Sequence, residues 1–217
     1  MFSIETSIKY GWQKIKEHME LVLFTTFLIL AVGSLTGFGD NGGQGHEGVY
    51  FSGLSLFGFL VMIFLIIIRI GYTKIFLRIH DGESPKFVDI FQEYRIFWRY
   101  LGVSILVGLT VAGGLILLII PGIIWLVRFS FSPIIIIDNK VSPVAAMKES
   151  YAITKGSFWK ILLFWIVIGL INLLGLIFFG IGLLITVPVS TFASIYVYRE
   201  LSKVKAGLIQ SPSPQVA

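Results

Sequence analysis

The stretch from residue 128 to residue 160, RFSFSPIIIIDNKVSPVAAMKESYAITKGSFWK, decides how this chain folds. It begins with an arginine inside an apolar run, crosses a short polar break and continues as an amphipathic segment. It ends in Phe-Trp-Lys before another apolar run, and residues 69–99 hold a weaker copy of the same order. Apolar runs that alternate with amphipathic segments predict a membrane protein built from repeated helical units.

The composition supports this class, because 56% of the 217 residues are hydrophobic and only 13% are charged. A soluble domain carries about 25% charged residues. The net charge of +5 comes from basic residues dispersed between apolar runs. This pattern favours anionic membrane lipid as a partner and argues against nucleic acid.

No metal site or cofactor is predicted. The chain has no cysteine, which excludes disulfides and thiolate ligands. Its three histidines, His18, His46 and His80, lie in three different segments. At the N-terminus, residues 21–31 have the length of a signal-peptide core, but three acidic residues precede them, so we expect this segment to be retained.

Six membrane helices are predicted, in three hairpins within one membrane domain spanning residues 1–206. The hairpin units are residues 1–80, 81–140 and 141–206, and the tail 207–217 has a disordered composition. The predicted helices are residues 20–36, 53–77, two within 101–137, 160–179 and 183–198. Residues 37–49 are glycine-rich and predict a flexible polar loop.

An amphipathic helix is predicted on the cytoplasmic side before each hairpin. The apolar stripes are Ile4, Ile8, Trp12, Ile15 and Met19; Phe87, Ile90, Phe91, Tyr94 and Trp98; and Val144, Met147, Tyr151, Thr154 and Phe158. The first of these helices has two alternatives, either lying on the membrane surface or packing against the protein's own cytoplasmic side.

The turn of the second hairpin lies at Gly113-Gly114 or at Pro121-Gly122. The glycine turn would place Arg128 about 21 Å from the turn, near the inner interface. The proline turn would place it about 9 Å from the turn, deep in the hydrocarbon. We therefore expect the turn at Gly113-Gly114, with Pro121 as a kink in the following helix.

The positive charges predict the topology. All 17 Lys and Arg residues fall in residues 1–20, 69–99, 128–160 and 199–205, which the six-helix layout places on one side. The positive-inside rule makes that side the cytoplasm, so both termini are expected there.

Residues 120–131, IPGIIWLVRFSF, are followed by Ser142-Pro143 and by TKGSFWK at 154–160. This combination resembles a widespread group of bacterial and archaeal membrane proteins. The group includes the membrane domain fused to some glycerophosphodiester phosphodiesterases. The resemblance covers residues 100–205 and implies a multispanning domain in the cytoplasmic membrane of a prokaryote. It implies no catalytic residue, because the phosphodiesterase chemistry belongs to a separate soluble domain.

No catalytic motif accompanies the apolar runs, and no acidic residue lies within the predicted membrane cores. We therefore expect a protein that is not an enzyme. Asn172, the most polar core residue apart from the arginines, is expected to form an interhelical hydrogen bond.

The two membrane arginines have two interpretations. They are topology-fixing anchors that reach the headgroups non-selectively, or they form a lipid headgroup site in the inner leaflet. The residues of this candidate site are Arg69, Thr73, Arg99, Arg128, Ser130, Ser132 and Lys160. The expected function is a membrane scaffold or lipid-associated module. The alternative is a small oligomeric transporter or channel for lipids or amphiphiles.

Overall fold

The computed structural model describes residues 2–37, 51–91, 93–177 and 182–207. In this part of the chain every regular element is helical. The α-helices are α1 (Ile4–Glu17), α2 (Met19–Gly37), α3 (Phe51–His80), α4 (Phe97–Leu117), α5 (Ile119–Phe129), α6 (Ser132–Asn139), α7 (Pro143–Thr154), α8 (Phe158–Ile177) and α9 (Leu183–Lys205). The predicted loop at 37–49 and the predicted tail at 207–217 lie almost entirely outside the described residues.

Four described segments are long and apolar enough to cross a bilayer. They are Leu60–His80, Phe97–Leu117, Ile119–Asn139 and Phe158–Ile177. Each holds 20 or 21 residues, and about 20 residues are needed to cross roughly 30 Å of hydrocarbon. Together with the composition, these segments indicate a helical membrane protein. The prediction of six spanning helices in three hairpins goes beyond them.

The chain reverses at Leu118, so the predicted turn at Gly113-Gly114 is wrong. Leu118 has an extended backbone between α4 and α5, and both glycines lie inside α4. A Cβ on Gly114 would lie 2.8 Å from the Cα of Gly122, so these glycines let the two helices approach closely. Pro121 lies in the first turn of α5, where its missing N–H leaves no intrahelical bond unmade. Arg128 is therefore about 15 Å from the turn, not 21 Å.

The returning segment is a broken helix. α5 ends at Phe129, and α6 begins at Ser132 with Pro133 at its start. A proline cannot donate a backbone hydrogen bond and fits only the first turn of a helix. The predicted single helix to residue 137 is therefore two helices.

The predicted amphipathic helix before α4 is also wrong. Two short 3₁₀ segments, Phe87–Phe91 and Tyr94–Ile96, replace it, and the side chains of Phe91 and Tyr94 lie outside the described residues. Ile90 is fully buried, and a Cβ on Gly71 would lie 2.0 Å from its carbonyl oxygen. The first 3₁₀ segment therefore lies directly on α3 at this glycine.

The third predicted amphipathic helix forms as α7, and Thr154 is the one residue of its predicted stripe that is buried. Ser142 caps it by accepting a hydrogen bond from the Ala145 N–H. Its buried residues are Ala146, Ser150, Ile153 and Thr154, whereas Val144 and Tyr151 of the predicted stripe are exposed. Small and hydroxyl side chains let α7 pack against α4, α5, α6 and α9.

Helix α9 lies at the centre of the fold. Ten of its 23 residues are buried, and it packs against α1, α2, α3, α7 and α8. The docking of α1 matches the second of its two predicted alternatives. Its buried residues are Ser7, Gly11 and Ile15, while Trp12 is about half exposed. Ser190 and Ser194 are among the buried residues of α9.

Candidate functional site

A cavity of about 910 Å³ lies between α2, α3, α4, α6, α8 and α9. Its lining runs from Met62 to Thr73 on α3 and from Leu183 to Ser194 on α9. Eleven residues of helix correspond to about 16 Å along each axis. One leaflet contributes about half of the roughly 30 Å hydrocarbon thickness. The cavity is therefore about as long as one leaflet is deep.

The lining changes from apolar to polar in the same direction along both helices. On α3 the apolar Met62 and Ile66 precede Arg69 and Thr73. On α9, Leu183 and Val187 similarly precede hydroxyl residues, which are Ser190, Thr191 and Ser194. The two helices lie side by side in parallel, since the rings of Phe76 and Phe192 are 4.3 Å apart and Asp81 pairs with Arg199. We call the two regions the apolar end and the polar end of the cavity.

Arg69 provides the charge of the cavity. Among the described lining residues it is the only charged side chain, and it is exposed. No described carboxylate forms an ion pair with it, and no described side chain accepts a hydrogen bond from its guanidinium. The Thr73 Oγ1 donates to the carbonyl oxygen of Arg69 at 3.0 Å, because residues four apart share a helix face. An unpaired arginine next to apolar walls is suited to an anion.

The three α9 hydroxyls that line the cavity, those of Ser190, Thr191 and Ser194, are satisfied within the protein. Ser190 donates to the Thr186 carbonyl at 2.7 Å, and Ser194 donates to the Ser190 carbonyl at 2.7 Å. The predicted interhelical hydrogen bond of Asn172 is confirmed, since its Nδ2 donates to the Ser190 Oγ at 2.9 Å. This bond joins α8 to α9 at the cavity wall. Two other lining atoms, the Asn172 Oδ1 and the Trp165 Nε1, are buried without a hydrogen-bond partner among the described residues, but neither side chain is charged. Arg69 is therefore the strongest group for attracting an anion.

The structure brings together three of the seven predicted site residues. Arg69, Thr73 and Ser130 line the cavity. The other four lie elsewhere, and these are Arg99, Arg128, Ser132 and Lys160. Arg128 does not line this cavity, and one patch containing both Arg69 and Arg128 stays a prediction.

Arg128 joins α5 to α7 and α8. Its guanidinium carbon lies 5.1 Å from the ring centre of Tyr151 and 5.9 Å from that of Phe158. Its carbonyl oxygen accepts a hydrogen bond from Ser150 at 2.8 Å. Two aromatic rings contact this cation, while its Nη1 is buried without a hydrogen-bond partner among the described residues. Arg128 therefore has its contacts inside the protein and does not line the cavity, whereas Arg69, at the matching position of the predicted repeat, does.

The other three residues of the predicted site, Arg99, Ser132 and Lys160, also lie outside the cavity lining. Arg99 donates to the carbonyl oxygen of Lys140, and Ser132 is fully buried at the start of α6. Lys160 lies exposed in the first turn of α8. Beside Arg99 and Lys160, the rings of Trp98 and Trp159 are each 76% exposed. Exposed tryptophans next to basic residues are typical of a membrane–water interface.

Some lining residues have no distinguishing signal in the sequence. Tyr100 and Trp165 are examples, since each is one aromatic residue within an apolar helix. Only the packing of α4 and α8 brings them to the same cavity. In contrast, Ser190 and Ser194 were recognisable as a small-residue pair, although the pattern predicted helix packing and not a cavity wall.

Comparisons with known proteins assign no activity. No family model and no solved structure matches this chain. Uncharacterized protein Mb2590 of Mycobacterium bovis and Uncharacterized protein MT2637 of Mycobacterium tuberculosis are each 23% identical to it over 239 residues. Uncharacterized protein Rv2560 of Mycobacterium tuberculosis is 22% identical over the same length. Each alignment covers 99% of this chain and 73% of the relative. These bacterial relatives fit a prokaryotic membrane protein, and the resemblance to the phosphodiesterase-fused domain stays a prediction.

Proposed function

We propose that this protein is a non-enzymatic membrane protein that binds one anionic amphiphile, such as an anionic lipid, in the cavity. The observation that carries the proposal is the unpaired Arg69 in a lining that is otherwise uncharged among its described residues. The acidic headgroup would bind at Arg69 and Thr73, and the acyl part would lie toward Met62 and Leu183. The proposed setting is the cytoplasmic membrane, with six spanning helices and both termini inside.

The polarity of the cavity favours an amphiphile over a small ion or an uncharged lipid. The guanidinium of Arg69 can bind a carboxylate or phosphate group bidentately, so an anionic headgroup fits the polar end of the cavity. The apolar end, with Met62, Leu65 and Leu183, offers such a partner a place for a hydrocarbon chain. A free inorganic anion would leave this end unused.

A lipid-binding function has more support than a scaffold function based on three amphipathic helices at the membrane surface. The segment before α4 is not an α-helix, and α7 buries its small-residue face against four other helices. This leaves α1 and α7 as the predicted amphipathic helices with exposed residues in their apolar stripes, which are Trp12, Val144 and Tyr151. The cavity instead provides a defined place for a single lipid.

The experiment compares Arg69→Gln with Arg128→Gln. Both variants lose the same charged group, but only Arg69 lines the cavity. The protein is purified, exchanged into nanodiscs made mainly of a zwitterionic lipid, and the retained anionic lipid is quantified by mass spectrometry. We expect Arg69→Gln to lower retention about tenfold, since a hydrogen bond to a charged group contributes roughly 1.5–3 kcal/mol.

Arg128→Gln serves as the matched control and is expected to retain the parent level within about twofold. Arg69→Lys keeps the charge but loses the bidentate fork, so its retention should be intermediate. If Arg69→Gln holds as much anionic lipid as the parent protein, the proposal is wrong.

A further inference from the structure

The polar end of the cavity is closed by side chains from three helices. One turn beyond Tyr72 on α3 lies Phe76, and one turn beyond Ser194 on α9 lies Tyr198. Their exposed fractions are 0% and 2%. Since residues four apart share a helix face, these aromatic rings continue the faces that line the cavity. They form the first layer of its floor.

A second, ionic layer follows. Arg199 donates to both carboxylate oxygens of Asp138, at 2.7 and 3.0 Å, and to Asp81 at 2.6 Å. The Tyr198 hydroxyl donates to Asp138 at 2.8 Å, so the aromatic and ionic layers are joined. Asp81 directly follows α3, Asp138 is in α6 and Arg199 is in α9, so one arginine holds together three elements that line the cavity.

This network separates the cavity from the solvent beyond it. The exposed fractions of the side chains are 11% for Asp138, 23% for Arg199 and 42% for Asp81. The floor extends five residues from Ser194 to Arg199 and eight from Thr73 to Asp81, which corresponds to about 8–12 Å. Buried side chains and this network thus lie between the polar end of the cavity and the last turn of α9.

We infer that Tyr198, Arg199, Asp138 and Asp81 form a gate, and that the protein passes an amphiphile through its polar end to the membrane face beyond. A partly buried ion pair contributes little net stability compared with apolar residues of similar size. Its suitable role is to favour one arrangement of the helices that carry it. Arg199 holds the closed arrangement, and its release separates the ends of α3, α6 and α9. Opening of this gate would add transport to the proposed function. The inference rests on the geometry of the cavity and its floor, not on the identity of the ligand.

The absence of cysteine from the sequence provides a direct test. Ser194→Cys introduces a thiol in the cavity wall, and Val204→Cys introduces one on the exposed last turn of α9, beyond the gate. Sealed vesicles of each orientation are treated with a membrane-impermeant thiol reagent. The side that labels Val204→Cys defines the gate side, so the assay does not require the proposed topology to be correct.

In the otherwise native protein we expect Ser194→Cys to react slowly from the gate side. Adding Arg199→Gln should raise its rate from that side about tenfold, because the closed state loses hydrogen bonds to charged groups. The Val204→Cys rate should stay unchanged in both backgrounds. This unchanged rate also verifies that the Arg199→Gln variant keeps its fold.

Arg199→Gln leaves Asp138 without its cation and can destabilise the protein. Asp81→Asn is the milder second variant, because it keeps the Arg199–Asp138 pair, and it should raise the Ser194→Cys rate about threefold. The inference is overturned if Ser194→Cys reacts as fast as Val204→Cys in the native background, or if neither variant accelerates it. Loss of lipid retention in Arg69→Gln would leave this result unaffected, so the two proposals fail separately.

Discussion

At the scale of single residues, Gly71 determines how the chain lies next to the candidate site. It is two residues after Arg69, and an added Cβ would lie 2.0 Å from the carbonyl oxygen of Ile90. Gly71→Ala should therefore destabilise the protein by about 1–3 kcal/mol, the usual cost of overpacking, because a backbone atom cannot move aside. The measurement is the thermal unfolding midpoint of the purified protein in one detergent.

Gly108→Ala is the matched control for this substitution. Gly108 is also inside a helix, but nothing lies within 4 Å of its added Cβ. Alanine is favoured over glycine in a helix interior by about 1 kcal/mol, so this variant should be equal to the parent or more stable. Equal midpoints for Gly71→Ala and Gly108→Ala would contradict the close approach of Ile90 to α3.

At the scale of elements, the docking of α1 on α9 distinguishes the two alternatives that its sequence allows. A Cβ on Gly11 would lie 2.7 Å from the carbonyl oxygen of Val189, whereas Trp12 is 46% exposed. Gly11→Leu should release α1 from α9 and speed tryptic cleavage at Lys9, Lys14 and Lys16 about tenfold in lipid bilayers.

Trp12→Ala is the control for α1, since it changes a side chain on the face turned away from α9. It should leave the cleavage rate near that of the parent protein. A helix held only by the membrane surface would behave in the opposite way, because it would depend on Trp12 and tolerate Gly11→Leu. The comparison of the two rates therefore decides between docking and surface binding.

At the scale of the whole molecule, the membrane topology makes a further prediction. If α4 and the α5–α6 pair each cross the bilayer, Leu118 and Lys140 lie on opposite sides. In the cysteine-free background, Lys140→Cys should react with an impermeant thiol reagent only from the side of the two termini. Leu118→Cys should react only from the other side.

The apolar turn makes this a strict test. Residues 115–120 are all exposed and all apolar, so nothing polar anchors the turn in water. Lack of reaction of Leu118→Cys from both sides would mean that the turn ends inside the hydrocarbon. In that case α4 and α5 enter and leave on the same side, and the count of six spanning helices is wrong.

The sequence by itself determined the class of the protein and most of its helices. In a bilayer, an apolar run of about 20 residues can form all its backbone hydrogen bonds within itself only as a helix. Composition and length therefore suffice to predict a helical membrane protein. The sequence also predicts that Arg69 and Thr73 lie on the same helix face, because they are four residues apart. The hydrogen-bonding role of Asn172 followed from its polarity in an apolar helix.

Only the tertiary structure decided which helices pack against each other and which arginine lines the cavity. Arg69 and Arg128 have similar sequence surroundings, but one lines a cavity while the other is stacked between Tyr151 and Phe158. The turn at Leu118 and the central place of α9 depend on close contacts at glycine and small residues. Lipid tails are as apolar as the helices, so hydropathy does not select which helices pair. Contacts between residues far apart in the chain make that selection, and they bring Asp81, Asp138 and Arg199 together at one end of the cavity.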